Sequence, residues 1–220
     1  MRLIDLSHTI TPGMTTYPGL PGPVVTDHLS REASRSHYAS GTTFHIARIE
    51  MVANTGTYMD APSHRWERGA DLSQLTLEQT ANLEGVCVEA PPGGRAIDAE
   101  AFAGVSVRGR AVLVRTGWSR HFGTEAYGSG HPFLTAEATQ VLVKEGAVLV
   151  GIDSLNIDDT AAGDRPAHTG LLGAGIPIVE HLTRLEQLPT RGFRFFSVAP
   201  KFSGVGTFPV RAFALVPEPS

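Results

Sequence analysis

Four residues define the chemistry open to this chain of 220: Asp60, His64, His168 and Glu180. Carboxylate oxygens and neutral imidazole nitrogens ligate divalent cations such as zinc or manganese, and the same groups serve as general acids and bases. Asp60 and His64 fall in the stretch Asn54 to His64, which is too polar for core and is stiffened by Gly56 and Pro62. His168 and Glu180 lie far downstream, twelve positions apart. Taken singly, each has a plain reading: a turn aspartate, a surface histidine, a histidine at a helix start, a solvated carboxylate at a strand end. Convergence in the fold is what would make them a site, with Asp60, His168 and Glu180 as three ligands to one divalent metal and room left for water.

The elements that must position these groups are legible in part. From Ala47 to Ala53 apolar residues take every second place, with Arg48 and Glu50 between them, the alternation of a half-buried strand. Asp60 follows on a stiff loop, a usual carrier of ligand-facing groups. Further strands are expected at Val86–Val88, Ala111–Val114, Ala147–Ile152, Phe193–Val198 and Val210–Val216, while Pro177 confines Ile176–Val179 to a sheet edge at best. A helix is predicted from an N-cap at Thr135 to Glu145, stopped by Gly146, with Ala138, Val141 and Leu142 on one face. A second short helix is predicted after Asp71, where Leu72, Leu75 and Leu77 lie close together. Strands outnumber helices, so the fold class is α/β: a mixed β-sheet or barrel-like core with packed helices, in one domain over residues 1–220.

Composition narrows the function classes. A net charge of -4 with 18% charged residues provides no basic stripe, which argues against nucleic acid as a partner. The lone Cys87 sits in a strand-like run and allows neither an internal disulfide nor a cysteine metal cluster. The N-terminus lacks a secretory apolar stretch and no run has the length of a membrane span, so a cytoplasmic enzyme or binder is expected.

Motifs along nearly the whole chain resemble the cyclase family of metal-dependent hydrolases, which includes bacterial kynurenine formamidases and isatin hydrolases. They are Asp5-Leu6-Ser7-His8, Pro12-Gly13-Met14, Tyr17-Pro18-Gly19, the Asn54–His64 segment, Arg115-Thr116-Gly117-Trp118, Gly151-Ile152-Asp153, and His168 through Glu180. The resemblance implies a swivelling β/β/α-like fold, a small-molecule substrate and a homo-oligomer, commonly a dimer or tetramer. The family's central motif is His-x-Gly-Thr-His-x-Asp-x-Pro-x-His, in which the first two histidines and the aspartate bind metal and the last histidine assists catalysis. Here Asn54 and Tyr58 stand at the two ligand histidines, while Asp60, Pro62 and His64 match. The aspartate of the family's formamidases bridges to a second metal held by a later histidine and glutamate, to which His168 and Glu180 correspond. An amide oxygen is a weak ligand and a phenol must lose a proton of pKa about 10 to bind well, so one of two metal half-sites survives.

These residues lead to one expectation and two rivals. The expectation is hydrolysis of a carbon–nitrogen bond in a small amide, formamide or lactam, arylformamidase-like, with one divalent metal, zinc or manganese, on Asp60, His168 and Glu180. His64 would move the proton, and Tyr58 and Asn54 would assist by hydrogen bonding. One rival is a metal-independent cyclase or lyase in which His168 pairs with Asp60 or Glu180; the other is a non-catalytic ligand-binding protein with a decayed site. Tyr17 and Trp66 are candidate walls for a planar substrate. Of the remaining histidines, His28, His37, His45 and His181 read as surface or packing residues, with His45 notable for sharing a strand with the motif loop.

Overall fold

Strand after strand of this chain is buried on both faces, and that is why its central segments read as unbroken apolar runs. The computed structural model describes residues 1–218. Its strands are β1 (Arg2–Asp5), β2 (Val24–Leu29), β3 (Ile46–Glu50), β4 (Tyr58–Asp60), β5 (Leu83–Glu89), β6 (Ala96–Ile97) and β7 (Ala111–Arg115). There follow β8 (Phe133–Leu134), β9 (Leu149–Ile152), β10 (Ile178–Glu180), β11 (Arg191–Phe196), β12 (Thr207–Pro209) and β13 (Phe213–Val216). The helices are α1 (Arg31–Ser34), α2 (Leu77–Thr80), α3 (Ala136–Glu145) and α4 (Pro166–Gly173), with short 3-10 turns such as Pro62–His64 between.

Nine strands form one mixed sheet in the order β1-β13-β11-β5-β7-β9-β10-β4-β12, curled into a half-barrel. Its centre, β5-β7-β9-β10, is parallel, and the strands on either side are antiparallel. Val112, Val114, Val150, Ile152 and Ile178 face Ala138 and Leu142 of α3 and Ala167 and Leu171 of α4. The alternate residues Ala111, Leu113, Leu149 and Val179 fill the concave side with Leu6, Phe193 and Phe195. Gly85 is required there, because a Cβ at that position would lie 2.1 Å from the Phe193 ring. No helix among the described residues is long and apolar enough to cross a membrane.

The α/β reading and the five apolar strands are borne out, as is the long helix: Thr135 accepts from the Ala138 N–H, and Gly146 ends α3 at φ 80°. Four local expectations are corrected. Asp60 is on a strand and not a loop, because β4 pairs with β10 on one side and β12 on the other. The Ile176–Val179 run is no edge, since β10 lies between β9 and β4 and Pro177 stands just before its first residue. The chain after Asp71 turns instead of winding into a helix, because the Asp71 carboxylate accepts from the backbone and hydroxyl of Ser73; helix begins only at Leu77. Finally, β3 is not half-buried: it pairs only with β2 in a separate two-stranded ribbon, and every residue from Ile46 to Glu50 is exposed.

Candidate active site

Sheet register does most of the assembly. β4 lies between β10 and β12, so Tyr58 stands opposite Glu180, and Asp60 opposite Thr207. The Tyr58 hydroxyl accordingly donates to Glu180 Oε2 at 2.6 Å, and the Thr207 hydroxyl donates to Asp60 Oδ1 at 2.5 Å. Pro62 starts the 3-10 turn that ends in His64, whose Nδ1 lies 2.7 Å from the Thr207 oxygen. A Cβ on Gly206 would come within 2.6 Å of the His64 nitrogen, so only glycine lets β12 approach this turn. His168 enters from the first turn of α4, whose start Pro166 pre-sets.

His168 is the point of convergence. Its Nε2 lies 3.7 Å from Asp60 Oδ2 and 3.8 Å from Glu180 Oε1, and all three side chains are buried. The expected trio is therefore brought together. The tightest group differs by one member: Asp60, His64 and His168 each offer a ligand atom, all within 4.8 Å of one another. Glu180 is more fully engaged, because Oε1 accepts from the Ile157 N–H at 2.7 Å and Oε2 from Tyr58.

A divalent cation fits this donor set on two observations. Asp60 Oδ2 is buried without a hydrogen-bond partner, a costly state for a carboxylate oxygen unless a positive charge meets it. His168 Nδ1 lies 2.6 Å from Asp158 Oδ2; an imidazole that donates from Nδ1 to a carboxylate directs its Nε2 lone pair outward, the arrangement of metal-binding histidines. Burial alone would lower the His168 pKa, but the hydrogen bond to Asp158 and the Asp60 and Glu180 charges nearby outweigh it and lift the imidazole to about 10. Asp60, which burial alone would raise, is brought net below its ordinary value by His168, His64 and Thr207. Burial pushes Glu180 the other way, upward.

The half-site at Asn54 and Tyr58 is built differently. Tyr58 is fully buried, its pKa driven up by burial and by the Glu180 and Asp60 charges, with the Asn54 side chain beside its hydroxyl as a donor. His181 Nε2 lies 3.3 Å from the same hydroxyl, and its Nδ1 lies 2.8 Å from the Tyr127 hydroxyl. A chain of hydrogen bonds from Tyr127 through His181 and Tyr58 to Glu180 thus occupies this side. Tyr17 is close enough to Thr160, Arg165 and Glu180 to feel them, while burial pushes its phenol upward. Trp66 packs instead on Gly173, in the last turn of α4, under the Arg65 guanidinium.

Sequence reasoning missed Asp158, Thr207, Tyr127 and the structural part of His181. Asp158 could have been found, since it caps α4 by accepting from the Ala167 and His168 N–H groups across a loop. The other three depend on register and packing alone.

The Cyclase family model matches residues 4–159 of this chain. Among solved structures, isatin hydrolase A from Ralstonia solanacearum is 24% identical, covering 98% of this chain and 92% of that one, with a TM-score of 0.81. Isatin hydrolase A from Labrenzia aggregata, bound to benzyl benzoate, is 24% identical over 99% of this chain and 94% of its own, TM-score 0.81. A structure described as a potential metal-dependent hydrolase with cyclase activity is 25% identical over 99% of both chains, TM-score 0.80.

Proposed function

The chain belongs to the cyclase family, and on that premise we propose that it hydrolyses a carbon–nitrogen bond in a small amide, formamide or lactam at a single-cation centre. The reading rests on one observation: the bare, buried Asp60 Oδ2 facing His168 Nε2 at 3.7 Å. Asp60, His168 and the spare lone pair of Glu180 Oε1 would hold the cation, with His64 beside it. Once bound, a divalent metal supplies Lewis-acid polarisation and a water of lowered pKa.

The remaining work falls to side chains. Thr207 has one hydroxyl proton and gives it to Asp60 Oδ1, so His64 Nδ1 must donate to the Thr207 oxygen. His64 Nε2 is then left as the basic nitrogen. His64 is also the partly exposed member of the group, at 35%, so it takes a proton at Nε2 and returns it to the departing nitrogen. Asp158 holds the His168 ring in place, and Tyr58 with Ile157 fixes Glu180. Tyr17 bounds the approach on the substrate side.

We further infer, from the family resemblance, that the chain works as a homo-oligomer. The test is metal analysis of purified protein, followed by turnover of aryl formamides and lactams with and without chelator. About one zinc or manganese per chain, with turnover lost on chelation and regained on reloading, is the expected result. Turnover indifferent to chelation would replace this mechanism with the metal-independent cyclase or lyase.

A further inference from the structure

A cavity of about 610 Å3 lies between residues 9–18 and residues 122–128, and no step proposed above uses it. That volume is in the range of small-molecule sites. Its walls are held by local structure: the Met14 N–H bonds to Thr11 O at 3.2 Å, the Thr11 N–H to Met14 Sδ at 3.1 Å, and the Gly13 N–H to Pro23 O at 2.8 Å. Gly128 lets the two segments meet, since a Cβ there would lie 2.9 Å from Pro18 Cγ. His8 stacks at 3.6 Å on one face of the Phe122 ring and fixes it in the wall. The chemistry of the lining is one-sided. No Lys, Arg, His, Asn or Gln lines the cavity, and its one charged group is the Glu125 carboxylate, exposed and with no ion-pair partner among the described residues. Two of the lining hydroxyls have already spent their protons. Thr124 donates to the His121 carbonyl at 2.6 Å. Tyr58 gives its proton to Glu180 Oε2, so its oxygen can only accept from His181 Nε2 at 3.3 Å. His181, fully buried between two phenols, therefore carries its one proton on Nε2, and its Nδ1 accepts from the Tyr127 hydroxyl at 2.8 Å. What the Thr124 and Tyr127 oxygens have left is acceptor capacity.

We propose that this cavity is a binding site for a small organic ammonium, a primary amine in its charged form on an apolar or aromatic body. An ammonium brings three donors and no acceptor, which matches the Glu125 carboxylate and the acceptor oxygens of Thr124 and Tyr127. The Phe122 and Tyr127 rings, 5.2 Å apart and edge to face, favour positive charge as well. A carboxylate or phosphate ligand would meet the Glu125 charge with no side-chain cation to offset it. Phe122, Met14 and Pro18 supply the apolar wall for the body of the ligand. Such an ammonium belongs either to the far end of an amino-bearing substrate or to a free amine. The inference is independent of the hydrolase reading, because occupancy is measured on metal-free protein without turnover.

Calorimetry of the full chain with phenylethylamine, phenylethanol and phenylacetate provides the test. The amine should bind about tenfold tighter than the alcohol, and phenylacetate should not bind. Glu125→Gln should weaken amine binding about tenfold and leave the alcohol unchanged, with circular dichroism showing that the variant is folded. In a spectrum of the protein carrying 13C-methyl methionine, the amine should shift the Met14 signal, which reports the cavity, and leave Met59 of β4 in place. The two sources separate in turnover: phenylethylamine raises the apparent KM of an amino-bearing aryl formamide if the ammonium is part of the substrate, and leaves that KM unchanged if it is a free amine. Equal binding of the three probes, amine binding untouched by Glu125→Gln, or an unmoved Met14 signal would each overturn the proposal.

Discussion

Replacing Asp158 by asparagine changes no volume and removes one charge, which makes it a clean probe of the cation centre. The carboxylate accepts from Ala167 N at 2.7 Å, His168 N at 3.0 Å and His168 Nδ1 at 2.6 Å. An asparagine side chain has one oxygen for these three donors, so its NH2 must confront an N–H. If the amide nitrogen faces Nδ1, that nitrogen must give up its proton and the ring keeps the one on Nε2, the atom that faces Asp60. If it faces Ala167, the first turn of α4 loses a cap. Loss of such an outer partner typically lowers metal affinity about 10–100-fold, equivalent to about 1.4–2.7 kcal/mol, and loss of the cap costs about 1 kcal/mol of stability. Titration calorimetry of chelator-stripped Asp158→Asn with zinc and manganese reads the first quantity, and urea unfolding the second. A folded variant that binds either metal within about twofold of the wild type would refute the reasoning.

Three further outcomes are expected. Tyr58→Phe leaves Glu180 Oε2 with only the Asn156 amide at 3.5 Å; this should cost about 1–3 kcal/mol in urea unfolding of the metal-free protein, and no loss would mean the phenol is dispensable. Burial holds His8 and His181 neutral, pushing them down to about 4 and about 3. The unfolded chain therefore binds more protons below pH 6.5, and stability should be full above that pH and fall as pH drops toward 4, by about 3 kcal/mol for His8 alone. A urea midpoint that His8→Asn leaves equally acid-sensitive would contradict this. Lastly, His168, lifted to about 10, carries its proton at pH 8, so metal uptake there should release about one proton. Calorimetry in buffers of different ionisation enthalpy counts it, and a buffer-independent enthalpy argues for cation binding elsewhere.

What the sequence disclosed follows from which interactions are local. Ala111–Val114 and Ala147–Ile152 announce parallel core strands because both their faces must be apolar, and Thr135 and Gly146 mark α3 because capping is settled within a few residues. Helix α4 was hidden, since Gly170 and Gly173 weaken its helical signal. Gly170 is there because a Cβ would press on Thr139 of α3 at 2.7 Å, a constraint from another helix. Asp60, His168 and Glu180 could be named from type and spacing. Thr207 and Tyr127, by contrast, reach the site through strand register and side-chain packing. Amphipathic alternation in β3 was legible as well, yet it does not set burial here, since the strand is exposed along its whole length.

The number of cations the centre would take follows from how its buried acids are satisfied. Asp60, Asp158 and Glu180 bring three buried carboxyl groups to one buried imidazole, and such a cluster persists only if each oxygen meets a donor, a proton or a cation. Asp158 meets three N–H donors. Glu180 meets Tyr58 and the Ile157 N–H, and burial raises its pKa, so its demand is met by hydrogen bonds and by a readily held proton. Asp60 has Thr207 on one oxygen and nothing on the other. Placing a phenol at position 58 thus satisfies the Glu180 side from within the chain and leaves a single unmet oxygen beside His168 and His64. One cation answers that demand; a second would have to displace Tyr58 from Glu180 and His181, which two neutral residues at 54 and 58 give it little reason to do.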